Sequence, residues 1–258
     1  MPKFAANLSM MFCEWPFLDR FAAAADAGFE AVEFQFPYAF PADEIAARVA
    51  LAGVKIVMFN LPPGDMAKGD RGLAAVPERV DEFRASVDLA LDYAQTLGVD
   101  RLHLMAGNGD PSDARAGAAY RDAIRYALDR LGPAGVTVLL EPINRRDFPG
   151  YYLSDFDAAE RIIGDFATPR LRLQYDIYHR QILRGDVLSG LEALLSTIGH
   201  VQVASVPLRQ EPGSGEVNDA LVFARLDALG YGGYVGCEYR PAAGTLEGLD
   251  WFASARKA

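Results

Sequence analysis

Several large protein classes are excluded by what this chain lacks. It has two cysteines in 258 residues, Cys13 and Cys237. Neither lies in a CxxC pair or at a zinc-type spacing, so a disulfide scaffold or a cysteine-built metal centre is excluded. A free cysteine is usually a small buried apolar group, and Cys237, inside an apolar run, reads as wall rather than nucleophile. Positive charge is also short. The 25 Lys and Arg face 35 Asp and Glu, a net charge of −10. Nucleic-acid binding needs a basic stripe, and the densest basic clusters, Arg145-Arg146 and Arg170 to Arg172, are too short to form one. No apolar run approaches the ~18 residues that span a bilayer. The start, MPKFAANLSMMF, has one Lys and no signal-peptide architecture. The expectation is a cytoplasmic protein with no membrane and no nucleic-acid partner. Glycine is missing where a dinucleotide fold would need it. Asn7-Leu8-Ser9-Met10, after the first apolar run, holds no GxGxxG, which counts against an open doubly wound sheet.

What is present is a repeat of strand and helix patterns. The apolar share, 51%, against 23% charged, is that of an ordinary globular chain with a substantial core. Near-continuous apolar runs fall at about 3–8, 30–35, 54–59, 101–105, 136–140, 171–176, 199–204 and 233–238. Runs without alternation suit strands buried on both faces. Between them lie helical patterns at about 17–27, 41–52, 77–98, 112–132, 155–165, 186–198, 219–229 and 245–256. In the third of these, Val80, Phe83, Val87, Leu91 and Ala94 form an apolar stripe at spacings of three and four. Gly28, Gly53, Gly98, Gly135 and Gly230 follow helical patterns, where a left-handed residue commonly ends a helix. Eight units in 258 residues give about 32 residues each, close to a (β/α)8 TIM barrel. The expectation is one barrel domain over 1–258.

Two loops exceed what a barrel requires, Asn60 to Val76 and Ala204 to Asn218. Functional loops of this fold follow the strands. The strand ends carry the polar groups: Asn7, Glu33 or Gln35, Asn60, His103, Glu141, Asp176, Gln202 and Glu238. Glu141, Asp176, Gln202 and Glu238 are spaced by 176 − 141 = 35, 202 − 176 = 26 and 238 − 202 = 36 residues. Each interval is about one strand-helix-strand unit. Parallel strands in succession bring such ends to one face, where three carboxylates would repel one another unless they bind a cation. An all-oxygen set suits Mg²⁺ or Mn²⁺.

At this point the residues resemble a family. FAANLSMMF at 4–12, FNLPPGD at 59–65, EPIN at 141–144, QYDIYH at 174–179, HVQ at 200–202, EPGSGE at 211–216 and GCEYRP at 236–241 are similar to the hydroxypyruvate isomerase family of xylose-isomerase-like barrels. The resemblance spans essentially the whole chain. It implies a (β/α)8 isomerase that moves a carbonyl between adjacent carbons of a short hydroxy-oxo acid. It implies that Glu141 and Glu238 act as proton donor and acceptor, and that Glu141, Asp176, Gln202 and Glu238 surround a divalent metal. His179 resembles a substrate-contacting histidine of related isomerases and epimerases. His103 and His200 read as wall or supporting groups.

The chemistry agrees with that reading. Removing a proton beside the carbonyl of hydroxypyruvate gives an enediolate, and returning it to the neighbouring carbon gives tartronate semialdehyde. A cation polarises the carbonyl, and two carboxylates can move the proton. The substrate carboxylate needs a guanidinium partner. Arg209 is the first choice and Arg71 a second that could close over the site. Ser205-Val206 stands where hydroxypyruvate isomerases would have Asp-Asn, Met66 where Trp is frequent and Asp70 where Glu is usual. QVASVPLR looks more like the subgroup that isomerises 2-oxo-tetronate, one carbon longer. Two other classes compete. A DNA-repair endonuclease of this barrel class resembles a His-rich zinc site, whereas this chain has three His. A binding barrel would have lost the ligand carboxylates. The oligomeric state stays open, a homo-oligomer included.

Overall fold

The apolar runs become strands because their residues are covered on both faces, and a helix follows each run. The computed structural model describes residues 2–255. In chain order these are β1 (Lys3–Asn7), α1 (Arg20–Asp26), β2 (Ala31–Glu33), α2 (Ala42–Ala52), β3 (Lys55–Ile56), β4 (Phe59–Asn60), α3 (Val80–Leu97), β5 (Arg101–His103), α4 (Ala114–Leu131), β6 (Thr137–Leu140), α5 (Phe156–Phe166), β7 (Leu171–Asp176), α6 (Ile177–Leu183), α7 (Val187–Leu194), β8 (Ile198–Val203), α8 (Asp219–Ala228), β9 (Tyr234–Cys237) and α9 (Asp250–Ala255). The last predicted helix, 245–256, becomes a single 3-10 turn at Leu246–Gly248 and then α9. Its residue 256 lies outside the described residues.

The described chain falls into two units. The first comprises Met1–Gln35, Asp43–Val57 and Tyr175–Ala258. Its parallel strands run in the order β3-β2-β1-β9-β8. Asn7 is level with Glu33, and Gln202 with Gly236, so Glu238 stands two residues beyond the level of Gln202. The second comprises Phe36–Ala42 and Met58–Gln174. Its parallel order is β7-β6-β5-β4. His103 is level with both Asn60 and Leu139, so Glu141 stands two residues beyond the level of His103. Strand β7 runs through the boundary, beginning in the second unit and ending in the first.

Three further local outcomes differ from the sequence expectation. The single apolar run at 54–59 splits into β3, paired with β2, and β4, paired with β5. The stripe of α3 is rotated. Phe83, Val87, Ala90 and Ala94 are buried, while Val80 at the helix start is 40% exposed. A short helix, α6, begins immediately after β7 because Asp176 caps it. The Asp176 Oδ1 accepts the Tyr178 N–H at 2.7 Å. The five helix-ending glycines all have positive φ, as expected.

Candidate active site

In the first unit the centre of the polar network is Glu33, at the end of β2 and fully buried. A buried carboxylate is tolerable only when its oxygens are hydrogen-bonded. Here the Asn7 side-chain amide donates to Oε1 at 2.9 Å, the Gln202 amide donates to Oε1 at 2.7 Å, and His200 Nε2 bonds Oε2 at 2.6 Å. Gly236, on β9, makes room, since a Cβ there would overlap the Glu33 carboxylate. Gln35 lies two residues past Glu33, just beyond the end of β2. Gln35 Nε2 donates to Glu238 Oε1 at 2.6 Å. The sequence offered these two as alternatives for one strand end. Both are used.

Glu238 and Asp176 share one guanidinium. Arg209 Nη2 lies 3.2 Å from Glu238 Oε2 and 3.7 Å from Asp176 Oδ2. Arg209 has φ +55°, an uncommon conformation for a residue with a Cβ, and its guanidinium stacks 4.9 Å over the Tyr178 ring. His179 Nε2 lies 3.6 Å from Asp176 Oδ2. Burial pushes the Asp176 carboxyl up to about 7; Arg209 opposes that shift and Glu238 adds to it. Burial likewise raises Glu238, again against Arg209, with Glu33 adding to the rise. Both carboxyls therefore hold their protons more tightly than an exposed carboxyl does.

The first unit also suits a cation. Asp176 and His179 are a carboxylate and imidazole that can offer ligand atoms together. Asp176 Oδ2 accepts no hydrogen bond among the described residues. The Gln202 nitrogen is committed to Glu33, so its carbonyl oxygen is the atom that can serve as a ligand. A hard divalent ion fits oxygen donors of this kind, and would replace the proton that burial favours on Asp176.

In the second unit Glu141 follows β6 and is 4% exposed. His103 Nδ1 lies 3.4 Å from its Oε2. Burial lowers the His103 pKa to about 3, so the imidazole is neutral and the contact is not an ion pair. The phenol of Tyr151 accepts the Ala106 N–H at 2.9 Å, and its pKa is raised by burial and by the charge of Glu141. Arg71 is held by its own loop. Its Nη1 donates to the Asp70 carbonyl at 2.6 Å and the Met66 carbonyl at 3.3 Å, and its guanidinium lies 5.7 Å over Phe148. Of the sequence-predicted residues, Asp176, His179, Gln202, Arg209 and Glu238 belong to the first unit, and Glu141 and Arg71 to the second.

Comparison with known proteins gives the lineage. The profile of the family described as Xylose isomerase-like TIM barrel matches residues 21–255. A 2-oxo-tetronate isomerase of Cupriavidus necator is 50% identical over 253 residues, covering 97% of each chain. A hydroxypyruvate isomerase of Escherichia coli is 40% identical over 253 residues, covering 97% of this chain and 98% of its own. A solved structure from Brucella melitensis, named AP endonuclease, family 2, is 47% identical and superposes with a TM-score of 0.96 over 98% of this chain and 99% of its own. Strand ends rich in buried carboxylates and relatives that match from end to end agree: the chain belongs to the xylose isomerase-like TIM barrel family.

Proposed function

We propose that this chain isomerises a short hydroxy-oxo acid by moving a proton between adjacent carbons through an enediolate. The enzyme is an isomerase, and its reaction needs groups that take and return one proton. The observation that carries the reading is the buried pair Asp176 and Glu238 under the single guanidinium of Arg209, with both carboxyls shifted toward neutrality. Glu238 and Glu141 each end a barrel strand. In this fold the loops at the strands' C-terminal ends build the active site. One glutamate takes the proton from the hydroxyl-bearing carbon. The other delivers a proton to the former carbonyl carbon, while the hydroxyl proton passes to the former carbonyl oxygen. Arg209 faces the negative charge that develops on the oxygens. His179 supports Asp176 and contacts substrate, and Arg71 is a second candidate to bind the substrate. Glu141, Asp176, Gln202 and Glu238 would hold Mg²⁺ or Mn²⁺, which supplies polarisation of the carbonyl.

Two substrates fit this chemistry. Hydroxypyruvate, giving tartronate semialdehyde, is the three-carbon form. The four-carbon 2-oxo-tetronate is favoured by QVASVPLR at 202–209 and by the 50% identity to a relative of that name. The partner is a small acid, and a cytoplasmic location is the matching proposal. No helix among the described residues is long and apolar enough to cross a membrane. The decisive experiment is turnover of both acids with and without a chelator. Conversion of either acid, weakened by chelator and restored by Mn²⁺, is expected. Binding of both without conversion would sink the isomerase assignment. Likeness to the Brucella melitensis protein, named an endonuclease, motivates a second reading, a nuclease. A net charge of −10 opposes it, and duplex DNA bound tightly at physiological salt would revive it.

A further inference from the structure

A cleft of about 530 Å³ opens between the loop after β1 and the loop after β9, entirely within the first unit. Small-molecule sites usually measure roughly 300–1,000 Å³. Its lining includes Ser9, Cys13, Glu14, Gln35, Arg240 and Thr245. Gln35 connects it to the proton-transfer machinery, because the same side chain donates to Glu238 Oε1 at 2.6 Å. Two charged side chains face this cleft. Glu14 is spent, since its carboxylate accepts both the N–H and the hydroxyl of Thr245. Arg240 is not. Its backbone N–H donates to the Arg209 carbonyl at 2.8 Å, which fixes its position, but its exposed guanidinium makes no hydrogen bond or ion pair among the described residues. Arg209 is in the opposite condition, committed to Glu238 and Asp176.

An oxo-acid substrate carries a carboxylate that stays ionised and must be matched. Arg209 already faces two protein carboxylates, whereas Arg240 pairs with none among the described residues and offers an unmatched cation to a substrate carboxylate. We infer that Arg240, two residues past Glu238, binds the substrate carboxylate from this cleft, leaving Arg209 to the reacting oxygens. The assignment rests on the oxo-acid isomerase reading above. It makes the cleft the part of the site that measures chain length, because the reacting carbons must reach Glu238 while the carboxylate stays on Arg240.

Cys13 provides a reporter. It is the exposed thiol on the cleft, whereas Cys237 is buried, with its thiol pKa pushed up by burial. Iodoacetamide should therefore label Cys13 selectively. In the wild-type protein, saturating 2-oxo-tetronate or hydroxypyruvate is expected to slow that labelling by about fivefold or more. Arg240→Gln should raise KM about 10- to 100-fold, the range of a lost charge-assisted hydrogen bond. Its kcat should stay within about threefold, and protection of Cys13 at the wild-type substrate concentration should disappear. Arg240→Lys should fall between the two. An unchanged KM in Arg240→Gln, with wild-type turnover intact, overturns the anchor and leaves the isomerase reading standing. Unprotected Cys13 in a wild-type enzyme that turns over overturns it without any variant, so a misfolded substitution does not shield it. A wild-type protein that converts neither acid ends both readings.

Discussion

Glu238 and Glu141 hold matching places in their own units but have different neighbours. Each stands two residues beyond the level of a polar side chain on the preceding strand, Gln202 for Glu238 and His103 for Glu141. Around Glu238 the neighbours donate charge and hydrogen bonds: Arg209 at 3.2 Å and the Gln35 amide at 2.6 Å. Within its own unit, the neighbours of Glu141 include an imidazole that burial keeps neutral and a tyrosine whose pKa burial raises. The same strand position meets a charged partner and an amide donor in one unit and a neutral buried imidazole in the other, because residues brought from elsewhere in the chain, and not the backbone, set what surrounds a buried carboxyl.

The sharpest way to break this comparison is to neutralise each glutamate. Glu141→Gln and Glu238→Gln should each lower kcat by about a thousandfold, within the range of lost general acid-base catalysis. Solvent deuterium entering the substrate's reacting carbon should cease in both, with circular dichroism unchanged. Full turnover by either variant would refute the role assigned to that residue.

Glu33 tests whether the richer side depends on its supporting network. Glu33→Ala strips Asn7, Gln202 and His200 of a common acceptor. A loss of about 3 kcal/mol is expected in denaturant unfolding, as for a buried partner removed from its network. A change under about 1 kcal/mol would mean that water or rearrangement replaces the carboxylate.

The smallest effect concerns pH. Asp176 titrates at about 7 in the folded protein against 3.8 for an unperturbed carboxyl. The folded state therefore holds this proton more tightly. The stability it contributes is complete below about 3.8 and is lost as pH rises through about 7. Asp176→Asn keeps an oxygen to cap α6. In chelator it should leave stability unchanged at pH 4 and raise it by on the order of 2 kcal/mol at pH 8. Melting curves at the two pH values measure this, and a variant less stable at pH 8 would refute the shift.

Much of this is readable along the chain. Apolar runs and punctuating glycines locate the strands to within one or two residues, since burial on both faces leaves a direct compositional trace. Asp176, Gln202 and Glu238 are legible because a polar residue closing an apolar run is rare. The split of 54–59 into β3 and β4 is not, because both halves are equally apolar and only the choice of pairing partner separates them. Arg240 escapes notice in the sequence because an arginine two residues past a catalytic candidate reads like any solvated charge. Its lack of a partner is visible only when its surroundings are known.

The order of residues alone determined the repeating strand-helix pattern, the chemical types at the strand ends and hence the lineage, because each depends on neighbours close in the chain. Tertiary structure decided which of those groups meet. Glu33 receives Gln202 from 169 residues away, and Glu238 receives Gln35 from 203. Such pairings depend on strand register and on space left by a single glycine at 236. Whether a carboxyl there keeps its proton follows from the water and charges around it once the chain has closed.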